Sequence, residues 1–301
     1  MAAAGLGGRK MSETSCPSAG NCPSGGNCAS CAQNPEDLRI REVLGGIPRK
    51  YVVLSGKGGV GKSTVAVNLA LALARRGKGR VGLLDIDLHG PSVPRMLGLE
   101  GARMGTTPEG RFVPVEAGPL DVVSTGFILN APDTAVILRG PMKIGLIRQF
   151  VAQVEWGELD ALVVDVPPGT GDEPLTICQL LRGDEGAAAV IVTTPQRVSE
   201  EDVSKSVDFC HKLPMRMAGL VENMSGFVCP HCGGVTEVFA SGAGERLAAE
   251  YGIPFLGKIP LDPMVCAGGD EGMPFMALYD DNAPSKAFAE IVRKLEGGDG
   301  V

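Results

Sequence analysis

Aromatic side chains are scarce in this chain, with one Trp, three Tyr and nine Phe among 301 residues. Basic residues are outnumbered too, 28 Lys and Arg against 35 Asp and Glu, and they form no long run. A nucleic-acid groove needs clustered cations and usually stacking rings, so no nucleic-acid partner is expected. No stretch approaches about 18 consecutive apolar residues, which excludes a transmembrane helix on length. The first eleven residues lack the apolar core of a secretory signal. A cytoplasmic protein with no membrane partner is therefore expected, and there is no internal repeat.

What the chain does contain is apolar side chains, 44% of the total, and 43 glycines. The first suffices for one large α/β domain, or a medium domain with an appendage. The second suits a backbone that bends around ligands. Nine cysteines in a chain without a secretory signal read as thiols or metal ligands, because the cytosol is reducing. Four of them, Cys16, Cys22, Cys28 and Cys31, are crowded near the N-terminus.

Residues 1–37 consist of Ser, Gly, Ala, Asn, Pro and Cys with almost no aliphatic side chains. Such a segment cannot offset its ordering entropy by burial and reads as a flexible Cys-rich N-terminal tail. A domain is expected over 38–296, followed by a disordered end at 297–301. Short aliphatic runs predict strands at 51–55, 80–85, 120–124, 161–165, 188–193, 217–221 and 253–258. Helical periodicity predicts helices at 62–76, 142–154, 200–212, 244–251 and 284–295. Continuous Val/Ile/Leu strands alternating with helices define a doubly wound, mostly parallel α/β fold. Ligands are then expected at the carboxyl ends of the strands.

The first of these strands runs into Gly56-Lys-Gly-Gly-Val-Gly-Lys-Ser63-Thr64, and a helical pattern follows. Strand, loop and helix together are the context of a Walker A phosphate loop, and hence of a P-loop NTPase. Gly56, Gly58, Gly59 and Gly61 let successive N–H groups around Val60 turn toward phosphate oxygens, and the helix dipole adds to them. Lys62 is placed to neutralise the β- and γ-phosphates of ATP, and Ser63 to hold Mg²⁺. The additional Lys57 resembles the second lysine of the deviant Walker A class, which includes the nitrogenase iron protein, MinD, ParA and arsenite-type ATPases. That resemblance implies a lysine that reaches the nucleotide of a partner subunit.

Two further strands end in carboxylates, Leu83-Leu-Asp85-Ile-Asp87 and Ala161-Leu-Val-Val-Asp165. By resemblance to the same class, Asp87 orients the attacking water, Asp85 supports the Mg²⁺ shell and Asp165 is the Walker B residue. The following Pro167-Pro-Gly-Thr-Gly-Asp172 resembles switch II.

The resemblance narrows when the motifs are taken in order. Asp85-Ile-Asp-Leu-His-Gly-Pro-Ser92, Leu138-Arg-Gly-Pro-Met142, Asp165-Val-Pro-Pro-Gly-Thr-Gly-Asp172, Glu222-Asn-Met-Ser225 and Cys229-Pro-His-Cys232 are similar to the Mrp/ApbC family. That family is related to the eukaryotic cytosolic and mitochondrial iron–sulfur scaffold ATPases. The likeness covers roughly residues 38–296. It implies an ATP-dependent homodimer that carries a 4Fe–4S cluster to apo iron–sulfur proteins. It also implies that Asn223 recognises adenine, beside a pocket wall at 257–262.

On its own terms Cys229-Pro-His-Cys232 looks like one knuckle of a zinc ribbon. A zinc ion or a 4Fe–4S cluster needs four ligands, and no second CxxC follows. A two-fold axis would repeat the same two thiolates opposite themselves. Zinc, a cluster and plain thiols all remain open on spacing; the family resemblance favours the cluster. The tail cysteines are spaced x5, x5 and x2, and having no core to pack into they read as metal ligands. The cytosolic scaffolds also carry four N-terminal cysteines, with a long first gap and the CxxC in the middle. Cys178 and Cys210 read as core residues, Cys266 as a loop residue and His231 as a loop residue rather than a ligand. Phe288, Ile291, Val292 and Leu295 share one helical face suited to core docking. Two rival functions stand beside the carrier: a MinD/ParA-like positioning ATPase and a zinc-stabilised regulatory ATPase.

Overall fold

The computed structural model describes residues 34–77, 79–88, 90–128, 140–196, 199–229, 231–232, 234–239 and 242–297. Cys16, Cys22, Cys28 and Cys31 lie outside the described residues, as do His89, Leu138, Arg139 and 298–301. The strands are β1 Lys50–Leu54, β2 Arg80–Asp85, β3 Gly105–Thr106, β4 Phe112–Val113, β5 Val115–Ala117, β6 Leu120–Ser124, β7 Leu159–Asp165, β8 Ala187–Thr193, β9 Met217–Glu222, β10 Phe227–Val228, β11 Val235–Thr236 and β12 Phe255–Lys258. The helices are α1 Pro35–Gly45, α2 Lys62–Arg76, α3 Val93–Met96, α4 Gly140–Gln153, α5 Asp172–Leu180, α6 Glu200–Lys212, α7 Ala243–Tyr251, α8 Pro263–Asp270, α9 Phe275–Leu278 and α10 Ala283–Gly297.

Eight strands form one sheet in the order β12-β9-β8-β1-β7-β2-β6-β5. All its pairings are parallel except β5 with β6. The antiparallel edge strand is short and only partly buried, so its residues give no apolar run to read. Side chains alternate across the sheet. Tyr51, Val53 and Leu83 pack with α2 and α10 on one face. Val52, Leu54 and Leu84 pack with α1, α4 and α5 on the other. The doubly wound reading therefore holds. On α10, Phe288, Ile291 and Val292 are buried and Leu295 packs beside them. Cys178 on α5 and Cys210 on α6 are core residues, as expected.

Helix α1 shows where composition misled. Asn34 caps it by accepting the Glu36 N–H at 3.1 Å, Pro35 occupies the first turn, and Ile40 and Leu44 are buried. The expected boundary at residue 37 thus falls inside a helix whose start signal is local. Its far end is held by Lys50, a buried lysine whose Nζ donates to the Leu44 and Ile47 carbonyls at 2.9 and 2.6 Å. Asp184 at 2.7 Å balances the charge. The lysine adds a second donor to the Leu44 carbonyl, which also accepts the Ile47 N–H, and binds the Ile47 carbonyl just beyond the helix. At the other terminus Gly297 closes α10 rather than opening a disordered end. No described helix is long and apolar enough to cross a membrane.

Candidate functional site: a phosphate loop and a cysteine hairpin

Because β1 lies between β7 and β8, the loop leaving Leu54 stands at the carboxyl edge of the sheet where the chain's direction of winding changes. Gly59 and Gly61 both have φ of +79°, a region that glycine enters without strain. Gly61 is also the cap residue of α2. A cavity of about 320 Å³ opens here, lined by Lys57 to Gly59, Gly61 to Thr64, Asp87, Ser92, Met96 and Pro168.

The acidic residues converge on the same place through register. Asp85 pairs with Asp165 across β2 and β7, and with Ser124 across β2 and β6. Lys62 Nζ makes an ion pair with Asp165 Oδ1 and lies 3.2 Å from Ser63 Oγ. Asp85 Oδ2 accepts from Ser124 Oγ at 2.8 Å and Oδ1 accepts from the Asp87 N–H at 3.0 Å. Both Asp85 and Asp165 are 0% exposed. Burial pushes the Asp165 carboxyl upward against the pull of Lys62. Asp85 is pushed up to about 8, by burial first and by the neighbouring Asp165 second.

That elevation has a measurable sign. The folded, cation-free protein favours the protonated Asp85 carboxyl, so this group's stabilisation is complete below the unfolded value near 3.8 and disappears as pH rises through about 8. In EDTA, Asp85→Asn should therefore gain on the wild type between about pH 6 and about pH 9, by at most ~1.4 kcal/mol per pH unit. Urea unfolding at the two pH values measures this. A constant difference between the two proteins would contradict it.

Lys57 has a different neighbour from the one its class resemblance implies. Its Nζ lies 3.9 Å from Asp202 Oδ2 of the same chain, in the first turn of α6. The loop backbone itself packs against Asp202, since a Cβ on Gly56 would come within 2.2 Å of the Asp202 carbonyl oxygen. Asp202 was not singled out from sequence, where Glu200-Glu201-Asp202 reads only as an acidic helix start. Asn223 does stand beside the phosphate loop: its Nδ2 donates to the Val60 carbonyl at 2.9 Å.

Cys229 and Cys232 are not part of this cavity. They sit at the turn of a two-stranded hairpin in which Phe227 faces Thr236 and Val228 faces Val235. The Cys229 N–H donates to the Gly234 carbonyl at 2.9 Å. Cys229 is half-buried and Cys232 exposed. Hydrogen bonds from the His231 and Cys232 backbones, and from the Cys232 side chain, hold the Cys229 thiol below its ordinary value. Among the described residues no three His, Cys, Asp or Glu side chains converge as a metal site, so the hairpin offers two thiols and no more. Cys266 is exposed, and it lies on α8 rather than in the expected loop. Asp262, whose side chain accepts the Met264 N–H at 2.8 Å, and Pro263 start that helix.

The fold and the cavity define a P-loop NTPase with MinD/ParA-like architecture. A model of the ParA family, described as the NUBPL iron-transfer P-loop NTPases, matches residues 46–296. The chain belongs to that family. The cytosolic Fe-S cluster assembly factor NUBP2 of Bos taurus is 48% identical over 255 residues, covering 84% of this chain and 93% of its own length. The iron-sulfur cluster carrier protein of Methanocaldococcus jannaschii is 49% identical over 260 residues, covering 86% and 88%. Among solved structures, a nucleotide-binding protein from Archaeoglobus fulgidus in complex with ADP superposes with a TM-score of 0.70 at 37% identity, covering 83% and 98%. MinD of Pyrococcus horikoshii superposes with a TM-score of 0.59 at 21% identity, which shows a shared fold alone. The positioning-ATPase alternative therefore has the fold in its favour and nothing beyond it.

Proposed function

We propose that this chain is an ATP-hydrolysing carrier of 4Fe–4S clusters, working in the cytoplasm as a homodimer and delivering its cargo to apo iron–sulfur proteins. The observation that carries the reading is a half-complete thiol site, Cys229 and Cys232, on an exposed hairpin of a family member with a full phosphate loop. Two copies related by a two-fold axis supply the four thiolates that a cluster needs. Val228, Val235 and Val238 are exposed on and beside the same hairpin, an apolar surface that suits contact with another subunit. The tail thiols Cys16, Cys22, Cys28 and Cys31 form a second cluster site in this reading.

At the phosphate loop, the N–H groups of 58–63 and Lys62 hold the β- and γ-phosphates of ATP. Asp165 Oδ2 is buried without a hydrogen-bond partner, and with Ser63 and Asp85 it forms a hard oxygen set that fits Mg²⁺. The ion, when bound, supplies charge neutralisation at the phosphates. Asp87 orients the water whose oxygen attacks the γ-phosphorus as the bond to the β–γ bridging oxygen breaks, giving ADP and phosphate. Lys57 leaves Asp202 and reaches the partner's nucleotide when two copies close. Asn223 positions the adenine end.

Anaerobic purification with iron, sulfide and zinc analysis tests the reading. The expected result is a brown protein with iron and acid-labile sulfide in equal amounts, about four of each per dimer for the shared site and more if the tail is loaded. A colourless protein holding zinc alone would overturn it in favour of a zinc-stabilised ATPase.

A further inference from the structure

Strand β9 ends on Glu222, a fully buried carboxylate in surroundings where an unpartnered charge is strongly unfavourable. Its oxygens collect three donors. Oε1 accepts from the Ser225 hydroxyl and from the Gly242 N–H at 3.2 Å, and Oε2 accepts from the Gly244 N–H at 2.6 Å. The two amides open α7, whose positive end also favours the carboxylate.

These donors lie on opposite sides of the cysteine hairpin in the chain. Ser225 precedes β10, while Gly242 and Gly244 follow β11. One side chain therefore closes the base of the loop that carries Cys229 and Cys232. The fit is tight, since a Cβ on Gly244 would lie 2.9 Å from both Glu222 Cβ and Leu220 Cδ2.

The next residue faces the nucleotide loop. Asn223 Nδ2 is bonded to the Val60 carbonyl, and a Cβ on Gly61 would come within 2.3 Å of that nitrogen. Met224 follows in the left-handed region at φ +58°, which costs a residue other than glycine about 1 kcal/mol. The segment is thus constrained on both sides. A displacement of the backbone at Val60 acts on Asn223, and a single peptide bond joins Asn223 to the Glu222 clamp.

We infer that Glu222 is a positioning residue that ties the cysteine hairpin to the phosphate loop, so that nucleotide occupancy changes the order of the hairpin. The assignment rests on the carrier reading for its purpose, but not for its test. Filling the loop fixes Val60 and Gly61, and through Asn223 and Glu222 it steadies the roots of the hairpin.

Hydrogen–deuterium exchange of the full-length, metal-free protein, followed by mass spectrometry, reads this directly. In the wild type, ADP or a non-hydrolysable ATP analogue should slow exchange in peptides within 226–239 by about 5-fold or more, the lower range of ordinary coupling. E222Q places an amide nitrogen where backbone donors converge, so the clamp opens. Its nucleotide Kd should rise by no more than the coupling factor itself, because linkage is reciprocal and Glu222 does not line the phosphate cavity, while the hairpin exchanges faster and loses its response to nucleotide. An undiminished response in E222Q would overturn the assignment, as would a wild-type hairpin that ignores nucleotide. Loss of nucleotide binding in E222Q would also overturn it, making Glu222 a structural part of the pocket. If E222Q does not fold, S225A removes one of the three bonds and is held to the same outcomes. Failure of the iron and sulfide analysis would remove the cargo and leave this exchange response standing. Failure of the response would remove the coupling and leave the cargo.

Discussion

Lys62→Ala is expected to lower kcat for ATP hydrolysis by about 10²–10³-fold or more, the loss that follows removal of one preorganised charge from a phosphoryl-transfer site. The effect has two sources in this structure. Lys62 lines the phosphate cavity, and it is also the ion-pair partner of the buried Asp165. Without it Asp165 keeps its burial and loses its counter-charge, so the carboxyl moves further upward and is protonated more readily. Lys57→Ala should behave differently. Its contact within the chain is a 3.9 Å approach to Asp202, which leaves the nucleotide-binding amides of its own loop intact. Nucleotide Kd should therefore change little while hydrolysis falls, because the charge is delivered across the dimer. Calorimetric Kd measurements beside phosphate-release rates separate the two variants. Equal loss of binding in both would remove the in-trans role from Lys57.

The phosphate site was legible from the sequence because its chemistry is contiguous. A buried strand, four glycines and a lysine before a helix specify a loop without knowledge of anything distant. The carboxylates Asp85 and Asp165 were legible as strand ends, but their meeting depends on β2 lying beside β7 in the sheet, and strand order leaves no local trace. The same holds for Ser124, which bonds Asp85 only because β6 lies on the other side of β2. Asp202 was missed because it looks like an ordinary acidic helix start, and its partner Lys57 is remote in the chain. Glu222 stood within the Glu222-Asn-Met-Ser225 motif but received no role, because two of its three donors, Gly242 and Gly244, lie beyond the hairpin. Helix α8 was missed because none of its residues is buried, so it has no apolar periodicity, and only the Asp262-Pro263 start signal marks it. Boundaries shifted where capping chemistry outweighs composition, as at Asn34-Pro35.

Replacing both Cys229 and Cys232 by Ala is expected to abolish cluster binding at the domain and to weaken self-association of the cluster-loaded protein. Each copy contributes half of the proposed ligand set, so one double substitution deletes all four sulfurs at once. A single substitution would leave two thiolates of four. The hairpin itself should survive, because its pairing of Val228 with Val235 and the Cys229 N–H bond to Gly234 are backbone interactions that alanine keeps. The clamp at Glu222 likewise involves neither sulfur. Nucleotide binding should therefore be unchanged, since the thiols stand outside the phosphate cavity. Iron and sulfide analysis of the variant with residues 1–33 removed isolates the shared site from the tail thiols; α1 begins after Asn34, so the truncation spares every described element. In that background the double variant should hold no labile iron, and sedimentation under anaerobic conditions should show more monomer than its parent. Retention of iron together with an unchanged mass in solution would place the cluster elsewhere and remove the bridging role from this hairpin.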